Sequence, residues 1–152
     1  MALPNIFTKE VSSDIIERIN KLSAESQGQW GKMTVAQMLA HCNVTYEMVY
    51  DDIHPKPNFL LKLILKSFVK NSVVNETPYE QSLRTAPQFL IKDEKSFDIE
   101  KGRLIQYIQK TQELGENTFD NKASHSFGNL TKTEWNNMFY KHLNHHLSQF
   151  GV

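Results

Sequence analysis

Apolar residues recur at helical spacing through most of this chain, and strand-like alternation is nowhere sustained. Ile15, Ile16, Ile19 and Leu22 form one stripe and predict a first helix over residues 12–24. Gly28-Gln29-Trp30-Gly31 interrupts it. Thr34-Val35-Ala36-Gln37 has the form of a capping box, in which Thr34 accepts from an early amide while Gln37 reaches back, so a second helix starts there and runs to about residue 52, ahead of Pro55 and Pro57. Residues 59–73 are strongly apolar, yet Lys62, Lys66 and Lys70 recur every four residues; this predicts a third, shorter helix with a solvent-facing lysine stripe.

Pro78, Pro87 and mixed polarity make residues 75–95 an irregular crossover, the kind of segment that often lines a site. Asp98 is the predicted cap of a further helix carrying Ile99, Leu104, Ile105 and Ile108 and stopping at Leu114-Gly115. Residues 116–130 read as loop. A second capping box, Thr131-Lys132-Thr133-Glu134, opens a last helix through Trp135, Met138, Phe139 and His142. The prediction is an all-α single domain over residues 1–152, with four principal helices and one extra.

At 152 residues the chain can bury about two thirds of its unfolded surface without a disulfide or a structural metal. Lys plus Arg and Asp plus Glu both number 17, so no overall field recruits nucleic acid or an anionic bilayer. The only cysteine, Cys42, has no disulfide partner, and Met1-Ala2-Leu3-Pro4-Asn5 lacks the pattern of a secretory signal, which makes the cytoplasm the expected location. No apolar run approaches the roughly 20 residues that span a bilayer, so stable membrane insertion is not expected. Residues 59–73 read first as a cover over one end of the helices, then as a homodimer surface or a face resting on a membrane.

Three of the six histidines fall within five residues, at 142, 145 and 146. On a helix, His142 and His146 lie one turn apart on one face, a spacing that lets two imidazoles hold a single metal ion. Two ligands do not complete a site. His41, in Met38-Leu39-Ala40-His41-Cys42 on the second predicted helix, is the leading third ligand and shares its face with Met38, Thr45 and Met48. Neutral imidazoles aimed into an apolar interior need partners, because an unpaired buried polar group costs ~1–3 kcal/mol, and one divalent ion serves several at once. The plainer alternatives are a hydrogen-bonded core residue for His41 and chance clustering for the pair.

His145 can replace His146 geometrically or sit at the edge of the site. Gln149 shares the face of His146 and is expected in the pocket, with Thr45 as a hydroxyl in its lining. His125, in Ser124-His125-Ser126-Phe127-Gly128, precedes the last helix and can fold over the pocket. His54 reads as a surface residue, and Cys42, turned ~100° from His41, as a small buried hydrophobe. Neither a His-Glu-x-x-His motif nor a nucleophile elbow is present.

Trp30-Gly31-Lys32-Met33-Thr34, Gln37-Met38-Leu39-Ala40-His41-Cys42 and, above all, Phe127-Gly128-Asn129-Leu130-Thr131 through Trp135 to His142-Leu143-Asn144-His145-His146-Leu147-Ser148-Gln149-Phe150-Gly151 resemble the DinB-like superfamily of metal-binding four-helix bundles. The likeness is to a small bacterial branch of unknown function. It implies an up-up-down-down bundle with a long crossover between its second and third core helices. It also implies three His ligands, at His41, His142 and His146, for a divalent ion such as zinc or nickel. Relatives in that superfamily include transferases and isomerases that use low-molecular-weight thiols, and metal-dependent hydrolases. Ser148 stands where relatives often carry a basic residue. A thiol-dependent transferase or a hydrolase acting on a small molecule is thus the leading expectation, with a metal or ligand sensor as the alternative.

Overall fold

Thr8 caps the first helix: its hydroxyl accepts from the Val11 amide, and α1 spans Lys9–Asn20 in a computed structural model that describes residues 1–152. The helix starts a turn earlier than the apolar stripe alone predicts, because the cap and not the first isoleucine sets the boundary. Ile15 and Ile19 are fully buried. The Thr34–Gln37 capping box forms as read, and α2 runs Val35–Tyr50. From Val35 to Glu47 every α2 residue except Gln37 is buried, so this helix is enclosed on nearly all sides.

The third predicted helix is broken. It comprises α3 (Phe59–Ile64), a π-helical turn at Leu65–Val69, and α4 (Lys70–Val74). Its lysines do not form a simple solvent stripe: Lys66 is exposed, Lys62 and Lys70 are half-buried, and Lys70 pairs with Glu134 at 2.7 Å. The outward positions are instead Phe59, Leu60, Leu63 and Phe68, because a short segment that is apolar all round can pack only one side. Lys141 on the last helix anchors its end, with Nζ donating to the Ser72 and Asn75 carbonyls at 2.8 and 2.9 Å.

Within the crossover, a 3₁₀ turn at Pro87–Phe89 precedes α5 (Phe97–Leu114). Ser96, not Asp98, caps α5, and Ile99 points to solvent. Gly115, at φ +72°, ends α5 as the Leu114-Gly115 stop requires. The predicted loop after it contains a helical turn, α6 (Glu116–Phe119), and a small antiparallel hairpin, β1 (Lys122–Ser124) with β2 (Gly128–Leu130), in register Lys122 to Leu130. The last helix, α7 (Lys132–Gln149), opens on the second capping box.

The fold is therefore mostly helical, with one two-stranded hairpin. α2 packs on α5 and α7, α1 on α5 and α7, and α4 on α7. Their inward faces form one apolar cluster that includes Ile15, Met38, Leu104, Ile108, Trp135 and Phe139, joined by Phe119 of α6. Tyr46 of α2 lies stacked between Tyr107 of α5 and Phe139 of α7, with centroids 5.5 and 4.9 Å away, which registers the three helices against one another. No helix is long and apolar enough to cross a membrane.

Candidate metal centre

α2 and α7 lie side by side so that His41, His142 and His146 meet, each offering a ring nitrogen within 4.8 Å of the others. His41 and His146 are buried and His142 is half-buried. The remaining nitrogen of each ring is held by a different part of the chain. His41 Nδ1–H donates to the Phe89 carbonyl at 2.9 Å, delivered by the 3₁₀ turn. His146 Nδ1–H donates to Gln149 Oε1 at 2.8 Å, and Gln149 Nε2 in turn donates to the Trp30 carbonyl at 2.8 Å. His142 Nδ1 meets the Thr45 hydroxyl at 3.1 Å.

These contacts decide the tautomers. A carbonyl can only accept, so neutral His41 carries its proton on Nδ1 and presents a bare Nε2. His142 Nε2 lies 2.9 Å from that atom, and two lone pairs cannot face each other at this distance. His142 therefore carries its proton on Nε2 and donates it to His41, while Thr45 donates to His142 Nδ1. The Thr45 hydroxyl can equally accept, and turning it round lets Nδ1 take the proton and frees the third Nε2.

Burial keeps all of these rings uncharged. Desolvation lowers the pKa of His41, with the Phe89 carbonyl opposing, and pushes His142 well below the ordinary value. His146 falls to about 3, mainly by desolvation, with the neighbouring His41 adding to the shift. Neutral imidazoles whose outer nitrogens are held by carbonyl, amide and hydroxyl partners are the donor set that a divalent cation takes. Tetrahedral ligands at 2.0–2.1 Å stand about 3.3 Å apart, so small ring movements suffice to fit one ion.

The other expected site residues occupy the margin. His145 lies outside the triad: its ring packs edge-on against His146 (5.0 Å), Trp30 (5.9 Å) and Tyr79 (5.7 Å). Burial lowers its pKa as well. His125 sits in the hairpin turn, where Nδ1 meets the Ser126 hydroxyl at 2.8 Å and Nε2–H donates to the His54 carbonyl at 3.3 Å. His54 is not the surface residue its loop position suggests, because it is half-buried with Nε2 on Glu47 Oε2 at 2.7 Å. Cys42 is a buried hydrophobe, with its thiol pushed up by desolvation. Ser148 is exposed and lies beside Arg18. The triad opens on a cavity of about 770 Å³ that reaches Thr45, His125, His145 and Gln149.

Phe89 and Trp30 serve the site through backbone carbonyls, which no side-chain pattern announces. Gly31 also belongs here: with φ at +80°, its missing Cβ would lie 2.5 Å from Gln149 Nε2, so glycine makes room for the amide that holds His146. The Gln29 amide donates to the Gln149 carbonyl at 2.7 Å and fastens the same loop to the end of α7.

A helical protein with a buried three-histidine cluster able to hold a metal ion is the class that fold and site define. The chain belongs to the family described as "Protein of unknown function (DUF1569)", whose model matches residues 7–151. No curated protein and no solved structure matches the chain.

Proposed function

We infer that this protein binds one divalent metal ion, zinc or nickel, through His41, His142 and His146, and uses it in a DinB-like enzyme acting on a small molecule by thiol transfer or hydrolysis. The carrying observation is the separate anchoring of three outer ring nitrogens around one converging point. The order of α1, α2, α5 and α7, with residues 51–96 between the middle pair, supports an up-up-down-down bundle of the DinB-like kind. A divalent ion held by three imidazoles would leave a position open and supply Lewis acidity, lowering the pKa of a coordinated water to about 7 and holding a coordinated thiol as its thiolate.

The chain's own groups divide the remaining work. Phe89, Thr45 and Gln149 orient the imidazoles. His145, on the cavity wall with its ring against His146, is the imidazole outside the triad placed to accept or return a proton, and His125 borders the cavity from the hairpin turn. One observation favours the sensor reading: the only carboxylate lining the cavity is the exposed Glu80, so no buried carboxylate stands beside the triad.

Zinc titration followed by elemental analysis tests the reading. Near one equivalent should bind, and His142→Ala or His146→Ala should abolish stoichiometric uptake while the helical circular dichroism persists. Full uptake in both variants sinks the ligand assignment. Turnover with a panel of low-molecular-weight thiols and electrophiles then separates enzyme from sensor.

A further inference from the structure

The wall of the cavity in front of the imidazoles is predominantly apolar. Leu61, Leu65, Val69 and Val73 recur every four residues along the crossover segment and line it, as do Trp30 and Trp135. Leu61 and Val69 remain 41% and 36% exposed, so these two positions of the row stay open, while Val73 also packs on the core. At about 770 Å³ the cavity is of the size that encloses a small organic ligand. A compact, heavily charged or hydroxylated thiol would gain nothing from such a wall, because its polar groups would lose water without finding partners.

We propose that the ligand of this site is an amphiphile, with one polar head reaching the imidazoles and an aliphatic or aromatic body filling the cavity between α7 and the 61–73 row. The head's attachment rests on the metal-site reading; the body's does not. The crossover segment then has a function for its inward face, where Leu65 and Val69 of the π-helical turn line the cavity together with Leu61 of α3 and Val73 of α4.

The chain's two tryptophans both line the cavity, so intrinsic fluorescence reports its filling. The probes are n-alkanoates from butanoate to dodecanoate below their micelle concentrations, titrated into the full chain with and without one equivalent of zinc. Kd should fall about fourfold for each added methylene until the cavity is full. Leu65→Asp should flatten that dependence, and Leu61→Asp, at an already exposed position, serves if the first variant loses its circular dichroism. Phe68→Ser, on the outward face, should leave the dependence intact.

Affinity that ignores chain length overturns the proposal. So does a dependence that survives both Asp variants and vanishes in Phe68→Ser, since the alkyl chain would then lie on the outer surface. Zinc uptake without chain-length dependence defeats this inference alone; chain-length dependence without zinc uptake defeats the metal reading alone.

Discussion

Gly31→Ala tests the link between the 28–31 loop and the histidines from a position whose added Cβ meets Gln149 and none of the three rings. A side chain at φ +80° costs about 1–2 kcal/mol in backbone strain. The new Cβ, 2.5 Å from Gln149 Nε2, also forces the amide away and breaks its bonds to the Trp30 carbonyl and to His146 Nδ1, each 2.8 Å long. Those two bonds are worth about 1 kcal/mol each, net of solvation, so the total loss is about 3–4 kcal/mol. Urea unfolding followed by circular dichroism measures it. With Gln149→Ala already in place, the same glycine replacement should cost only the strain, about 1–2 kcal/mol, leaving a coupling of about 2 kcal/mol. Zinc affinity, measured by competition with a chromophoric chelator, should drop ~10–100-fold in Gly31→Ala, because His146 loses the partner that orients it. A destabilisation under 1 kcal/mol with unchanged zinc affinity would refute the reasoning, and so would strictly additive losses in the cycle.

Acid should weaken the metal-free fold through the same residue. The His146 pKa falls from 6.5 to about 3 on folding, so between those values the unfolded chain binds the extra proton and stability rises with pH. Going from pH 7.5 to pH 5 should therefore remove about 2 kcal/mol through His146, with His41 and His142 adding in the same direction; urea midpoints recorded in chelator that stay flat over this range would contradict it. Thr45→Val removes the hydroxyl that serves His142 Nδ1 in either direction, and zinc affinity should fall ~10–100-fold while α2 stays helical. An unaltered binding isotherm would remove Thr45 from the site.

Much of this arrangement was legible in the residues because helices advertise themselves. Both capping boxes form where Thr34–Gln37 and Thr131–Glu134 place them. The four-residue spacing of His41 and Thr45 brings both against His142, and that of His142 and His146 brings their rings together. What escaped was local and short. Strands of three residues cannot show alternation, so the hairpin that carries His125 looked like loop. The Phe89 carbonyl reaches His41 only because the crossover folds back over α2, and a backbone acceptor leaves no trace in side-chain chemistry. His54 departs from a surface position for a related reason: its partner Glu47 is buried on α2, and the outward-looking loop sequence does not show that the chain turns inward there.

His142 and His146 sit four residues apart, whereas His41 joins them across 101 residues of chain. Unfolding separates the distant member, whereas His142, His145 and His146 stay within five residues of one another in any conformation and would still offer a local chelate. On the proposed metal reading, zinc would therefore have affinity for both ends of the folding equilibrium, and only the difference would raise the melting temperature. The thermal shift at a given zinc concentration should fall short of what native-state Kd alone implies, with the shortfall measuring how strongly the unfolded C-terminal segment competes.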